Sequence, residues 1–332
     1  MFTETWCLPV RYVPYHKLGK TPNVIVDGRS NDTTVLALSH WPDSGTPEKY
    51  RADLSAQIVF KCLDEENSLP CEIVSNNHFD EDGLVCLFSM LYPKLAYLYR
   101  DVLIDVASAG DFGTFVSRDA ARISFVISAW STPELSPLNQ GVFARPYPEV
   151  TAILYEELLV RLPNVIEKLD NLKRYWVDED DFLQSTEAAL GQKDIVVEEF
   201  KDLDLAVVTV VSANFPGQLR ELSPSWVSSV LHPMAIHNLT DCMKVIVIKE
   251  QRYELYYRYE TWIDYVSRPL MKRVDLTALA CSLSALEKGR AHWQFTGNDE
   301  IISRLKLIGA DRSLIEPESF INGVKASLKQ AS

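Results

Sequence analysis

The chain has 332 residues, 47% hydrophobic and 24% charged, which is ordinary for a globular protein and enough apolar material for two domains. Its 33 basic and 46 acidic side chains leave a formal net charge of −13. That balance excludes a general nucleic-acid coat, which depends on many lysines and arginines displacing counterions, so duplex nucleic acid is not an expected partner.

The opening "MFTETWCLPVRYVPYHKLGK" has no basic leader followed by a long apolar segment, and no run reaches the ~20 apolar residues of a membrane span. With six scattered cysteines and no C-x-x-C pair, a cytoplasmic protein with reduced thiols and no membrane partner is expected. "NVIVD" (23–27) and "TVLALSH" (34–40) then read as buried strands. "ADLSAQIVFKCL" (52–63) puts Leu54, Ile58 and Cys62 on one helical face, with Asp53 as its cap. "CEIVSN" (71–76) reads as a further strand and "GLVCLFSML" (83–91) as a helix. Strands alternating with helices predict an α/β fold, a parallel-sheet N-terminal domain over residues 1–145 with helices on both faces.

"SPLNQGVFARPYP" (136–148) is the linker candidate. A helical pattern follows over 151–176, interrupted by Pro163, and "VDEDDF" (177–182) reads as a helix start because carboxylates favour the first turn. From about residue 194 the texture changes. "IVVEEF", "LAVVTVV", "KVIVIKE" and "RYELYYRYETW" read as strands, with helices near 226–239, 275–287 and 316–329. Residues 146–332 are therefore expected to form a helical connector and a smaller α+β domain.

Asp27, His40 and the loop "NNHFDEDG" (76–83) all fall at carboxyl ends of predicted strands, where open α/β sheets bind ligands. The acidic loop has two readings. Its carboxylates cap the following helix, or His78, Asp80 and Asp82 converge on a metal while Phe79 and Glu81 turn outward. An EF-hand is excluded, because loop positions one and twelve are His78 and Ser89 instead of acids. An oxygen-rich set with one or two imidazoles suits Mn²⁺ or Mg²⁺, two of which would hold a phosphoryl group between them.

"HFDEDG" resembles the H-x-D-x-D-G signature of the DHH phosphoesterase superfamily. That family also carries an aspartate at the end of a second strand, a D-H-H triplet at the end of a third, and a later aspartate. "VIVDG" offers Asp27; "LALSHWP" followed by "ADLSAQIV" offers His40; "ASAGDFGTF" offers Asp111. The resemblance, over roughly residues 23–125, thus implies a dinuclear site of Asp27, His40, His78, Asp80, Asp82 and Asp111, with Asp80, Asp82 and His40 at the chemistry. Two departures stand out. The order is permuted, and the triplet is "SHW", so Ser39 replaces its aspartate and Trp41 its second histidine. Those positions ordinarily support the metals and the leaving group. The resemblance therefore implies either a phosphoesterase acting on a nucleotide or short oligonucleotide, or a metal- or nucleotide-binding sensor without turnover. The chain also resembles a bacterial family carrying "SNNHFDEDG" together with an "RYETWIDYVSR"-like segment, which implies no activity.

In the second half, "YELYYRYETWIDYVSRPLMKRVDL" (253–276) puts Tyr253, Leu255, Tyr257 and Tyr259 on one strand face. Either Arg258 pairs with Glu260 on the other face, or Arg258, Arg268 and Arg273 gather at a phosphate, with Trp262 stacked on a base. DHH enzymes close a C-terminal glycine–histidine loop over the substrate; "KGRAHWQFTG" (288–297), with Gly289 and His292, resembles that loop but departs from its usual Gly-Gly-His pattern. His232 and His237, five apart, do not share a helical face and read as ordinary helix residues. Neither a kinase nor a serine hydrolase has its supporting motifs here. The partner expected is a small phosphorylated substrate, and a homodimer is possible.

Overall fold

The computed structural model describes residues 10–65, 69–212 and 225–331; Cys7 lies outside them. The chain divides into two compact units, residues 1–180 with 263–268, and residues 181–262 with 269–332.

The first unit is built on four parallel strands: β1 (Arg11–Tyr12), β2 (Asn23–Val26), β3 (Thr34–Leu38) and β4 (Ile73–Ser75), in the order β1-β4-β2-β3. The strand expectations hold at 23–27, 34–40 and 71–76. Val26 pairs with Leu38, and Ile25 with Ser75, so β2, β3 and β4 end together at one edge of the sheet. Six helices follow from the first half: α1 (Ser55–Glu65), α2 (Glu81–Leu91), α3 (Pro93–Leu98), α4 (Arg100–Asp111), α5 (Arg118–Ser131) and α6 (Tyr147–Glu167). Helix α2 packs on β1, β2 and β4, and also against α1 and α4. Ten of its residues are buried, Glu81 to Met90, because it is wrapped by helices as well as by the sheet. Each buried Leu, Val or Phe there contributes roughly 1.5–3 kcal/mol. On the sheet's opposite side, Ile25 and Ile73 cluster with Leu18, Val13 and Tyr15.

The predicted boundary at 145/146 moves to 180/181. The proline-containing segment 136–148 only joins α5 to α6, which pack on each other, and α6 also packs on α2. Pro163 does not interrupt α6, which runs on to Glu167; a proline four residues from a helix end removes one hydrogen bond close to where the ladder stops anyway. Helix α7 (Val177–Gln192) does start with Asp178, Glu179 and Asp180 in its first turn.

The second unit holds a six-stranded sheet, β5 (Ile195–Phe200), β6 (Leu205–Val210), β7 (Lys244–Lys249), β8 (Arg252–Tyr257), β9 (His292–Phe295) and β10 (Arg304–Ile308), ordered β5-β6-β7-β8-β10-β9. Among the described residues of this unit, only β6 and β7 pair in parallel. The unit's short helices are α8 (Trp226–Val230) and α9 (Pro233–His237), followed by α10 (Thr277–Ser284) and α11 (Pro317–Ala331). The unbroken apolar runs of β6 and β7 arise because both faces are covered. Val207, Ile246 and Ile248 pack with Leu283, Phe320 and Val324, and Val208, Val245 and Val247 with Val227, Val230 and Ile236. No helix among the described residues is long and apolar enough to cross a membrane.

Candidate metal centre

The shared edge of β2, β3 and β4 gathers the predicted ligands. Asp27 follows β2 directly, held in register by its N–H donating to Leu38 O at 2.9 Å. Its φ of +43° is left-handed, a conformation that aspartate tolerates better than most residues. This turn points its carboxylate back into the protein, where it is fully buried. His40 lies two residues beyond β3. The loop after β4 brings His78 and Asp80, α2 brings Asp82 in its first turn, and Asp111 is the last residue of α4.

These six side chains form two groups with one member in common. Asp27, His40, Asp82 and Asp111 present ligand atoms all within 4.8 Å of one another, and so do Asp27, His78 and Asp80. His40 Nε2 is 3.6 Å from Asp27 Oδ1 and 3.4 Å from Asp111 Oδ2. His78 Nε2 is 3.5 Å from Asp27 Oδ2 and 2.6 Å from Asp80 Oδ2. The loop's three ligands therefore divide between the groups. Asp80, with extended backbone, caps α2 by accepting from Gly83 N. Beyond it the chain is helical, so side-chain alternation stops. Glu81 does not turn outward as the alternation predicts; it is buried, accepting hydrogen bonds from Ser124 and Ser128 of α5.

The surrounding hydrogen bonds fix the set. His40 Nδ1 lies 2.7 Å from Asp53 O. A carbonyl only accepts, so Nδ1 carries the proton and Nε2 turns a lone pair toward Asp27 and Asp111. Ser55 Oγ donates to Asp27 Oδ1 and accepts from His40 N. Asp82 receives the N–H groups of Ser55 and Ala56 at 2.8 and 2.7 Å, so Asp82, and not Asp53, caps α1. Asp53 instead accepts from Val266 and Ser267. Asn76 holds Asp27 O and His78 N, and Tyr155 OH holds His78 O.

Electrostatics favour a cation here. Burial first, then the neighbouring carboxylates, pushes Asp27 and Asp111 well above the usual carboxylate range, and Asp82 to about 7. Burial lowers His40 to about 4. Burial also pulls His78 down, but the Asp80 carboxylate overrides it and holds His78 at about 9. Asp80 itself is lowered, because the imidazolium outweighs the burial that would raise it. Among the described residues only the two histidines bring a basic group within 4 Å of these four aspartates, and of the two His40 is held neutral. Asp27 Oδ2 and Asp111 Oδ2 are buried without a hydrogen bond. Buried carboxylates in this number ionise only beside positive charge. Their orphaned oxygens, with His40 Nε2 and with His78 once its proton is displaced, make an acceptor set that can hold a metal ion.

Residues 8–332, spanning both units, match one family throughout. The chain belongs to the family of unknown function DUF6687. No curated protein and no solved structure matches the chain.

The substrate-binding candidates of the second half are divided between the two units. Strand β8 ends at Tyr257, and Tyr259 lies in a 3₁₀ turn. Arg258 does pair with Glu260, but both are buried, and Arg258 also donates to Thr240 O. Arg273 donates to Thr261, Ser303 and the carbonyls of Asn298, Glu300 and Ile301. Both guanidiniums are thus committed to holding loops. Arg268 belongs to the first unit, and His292 is exposed at the start of β9. His232 caps α9, and His237 bonds Tyr256 OH. Arg29, which the sequence reading did not single out, is exposed two residues after Asp27, its backbone N–H fixed by Asn77 Oδ1 at 2.8 Å.

Proposed function

We propose that this chain is a metal-dependent phosphoesterase with a dinuclear Mn²⁺ or Mg²⁺ site, acting on a nucleotide or short oligonucleotide. The observation that carries the reading is Asp27, whose two oxygens face the two histidine-containing groups separately. That is the disposition of a bridging carboxylate. His40, Asp82 and Asp111 complete one position, His78 and Asp80 the other. Bound there, the ions supply Lewis-acid stabilisation of phosphoryl negative charge. The protein's own part is positional. Asp53 O holds the His40 tautomer and Asn76 and Tyr155 hold the His78 loop, while the exposed Arg29, two residues after Asp27, would offer a guanidinium fork to a phosphate oxygen. The DHH-like order of strand, acidic loop and helix supports the same reading.

The test is elemental analysis of protein purified without chelator, for wild type, Asp27→Asn and Asp111→Asn, followed by a phosphodiester and nucleotide screen. Two divalent ions per chain, depleted in both variants, with turnover in the wild type, is the expected result. No metal even after Mn²⁺ addition would end the proposal.

One observation favours a binding protein without turnover. Trp41, where the DHH triplet has its second histidine, lies with its ring 4.9 Å from that of His78. An indole cannot protonate a leaving group. Tight nucleotide binding with no product formed by the metal-loaded protein would select this sensor reading.

A further inference from the structure

We infer that the segment Ile263–Arg268 is a positioning strap for the metal site, acting on His40 through Asp53. The inference rests on the metal-binding reading above. The segment "IDYVSR" is flanked on both sides by residues of the second unit, yet its own contacts place it in the first. Those contacts converge on one ligand. Asp264 N–H donates to His40 O at 2.8 Å. The N–H groups of Val266 and Ser267 donate to Asp53 Oδ1 at 2.7 and 2.9 Å, and Ser267 Oγ donates to Asp53 Oδ2. Asp53 in turn presents its backbone carbonyl to His40 Nδ1. The Tyr265 ring lies 6.1 Å from that of Phe112, which stacks on the His40 imidazole at 6.4 Å.

The strap therefore grips His40 by its carbonyl, by the group that sets its tautomer and by the ring beside it. Phe112 also follows Asp111 directly in the chain, so the same contact braces a second ligand. Losing a group that orients a ligating histidine typically costs about 10–100-fold in metal affinity. Were Asp53 no more than a loop clasp, its loss would lower stability and leave metal binding through His40 unchanged.

The experiment is titration of the metal-free full-length chain with Mn²⁺ by calorimetry, with a melting temperature for each protein. The proteins are wild type, Asp53→Ala, Asp53→Asn, Ser267→Ala, His40→Ala and the Asp53→Ala/His40→Ala double variant. Asp53→Ala should weaken one Mn²⁺ site by about 10–100-fold. Asp53→Asn, which keeps an acceptor for the two amides, and Ser267→Ala, which removes only a hydroxyl, should each weaken it less. In the His40→Ala background Asp53→Ala should cost nothing further, because residues acting as one unit are not additive. Wild-type affinity in both Asp53 variants, or an undiminished Asp53→Ala loss without His40, would overturn the strap's role while leaving the metal site intact. Absence of Mn²⁺ binding in the wild type would instead remove the metal reading, and the strap's role with it.

Discussion

Asp27 holds opposing demands in one side chain. Ser55 Oγ donates to its Oδ1, its Oδ2 has no hydrogen bond, and its carboxyl is buried beside Asp80 and Asp82. Replacing it by asparagine keeps the shape and removes an ionisable group whose charged form burial penalises. We expect Asp27→Asn to raise the melting temperature of the metal-free protein and to weaken Mn²⁺ binding at least ~100-fold, since in the proposed site this one ligand would serve both ions. Thermal denaturation with chelator, and calorimetry without it, check the two signs separately. The same groups set a pH dependence. Asp82 at about 7 and His78 at about 9 both lie above their unfolded values of ~3.9 and ~6.5. A folded-state pKa raised in this way gives stability that is complete below the unfolded value and lost as pH rises through the folded one. His40, lowered to about 4, acts oppositely, but only below ~6.5. Between about pH 6.5 and 9 the metal-free melting temperature should therefore fall, while the gain from added Mn²⁺ grows as the ion displaces those protons. A flat profile across that window would contradict the assignment.

At the level of elements, the start of α2 is where the first unit is tied together. Asp80 caps α2 itself, Glu81 reaches α5 and Asp82 caps α1, so three consecutive carboxylates serve three helices. Gly83 is required by this crowding. A Cβ there would lie 2.5 Å from both Asn76 Nδ2 and Tyr155 OH, the two groups that hold Asp27 and the His78 loop. Alanine ordinarily stabilises a helix interior by about 1 kcal/mol over glycine. Here overlap should dominate, and Gly83→Ala should destabilise by about 1–3 kcal/mol in urea unfolding and weaken Mn²⁺ binding as well. An Ala variant more stable than wild type would show that the loop yields freely.

At the level of the whole molecule, Arg258 and Arg273 serve the stability of the second unit. Breaking the buried Arg258–Glu260 pair by Arg258→Ala should cost about 3–5 kcal/mol, because the buried Glu260 carboxylate loses its guanidinium partner. Arg273→Met should also lower the melting temperature, since five hydrogen bonds to the 261 and 298–303 segments are lost. Neither should change the Mn²⁺ affinity of the full-length chain. Arg29→Met should behave in the converse way, leaving the melting temperature within about 1 °C and raising KM for a phosphodiester several-fold. An exposed side chain contributes little to folding, whereas a guanidinium fork matches phosphate. Steady-state kinetics beside thermal melts separate the two classes.

The sequence by itself determined the apolar runs of β2, β3 and β4, the helices that follow them, and the placing of Asp27, His40 and His78 beyond strand ends. Those features depend on local periodicity and on parallel strands finishing at one edge, and neither needs a distant partner. Tertiary structure alone decided where each polar group is used. It buried Glu81 against α5, gave the cap of α1 to Asp82, enclosed Arg258 with Glu260, and carried Val266 to Asp53 across 213 residues of chain. A carboxylate's partner is chosen by whichever donor the packed chain delivers within about 3 Å, and local pattern carries no record of that choice.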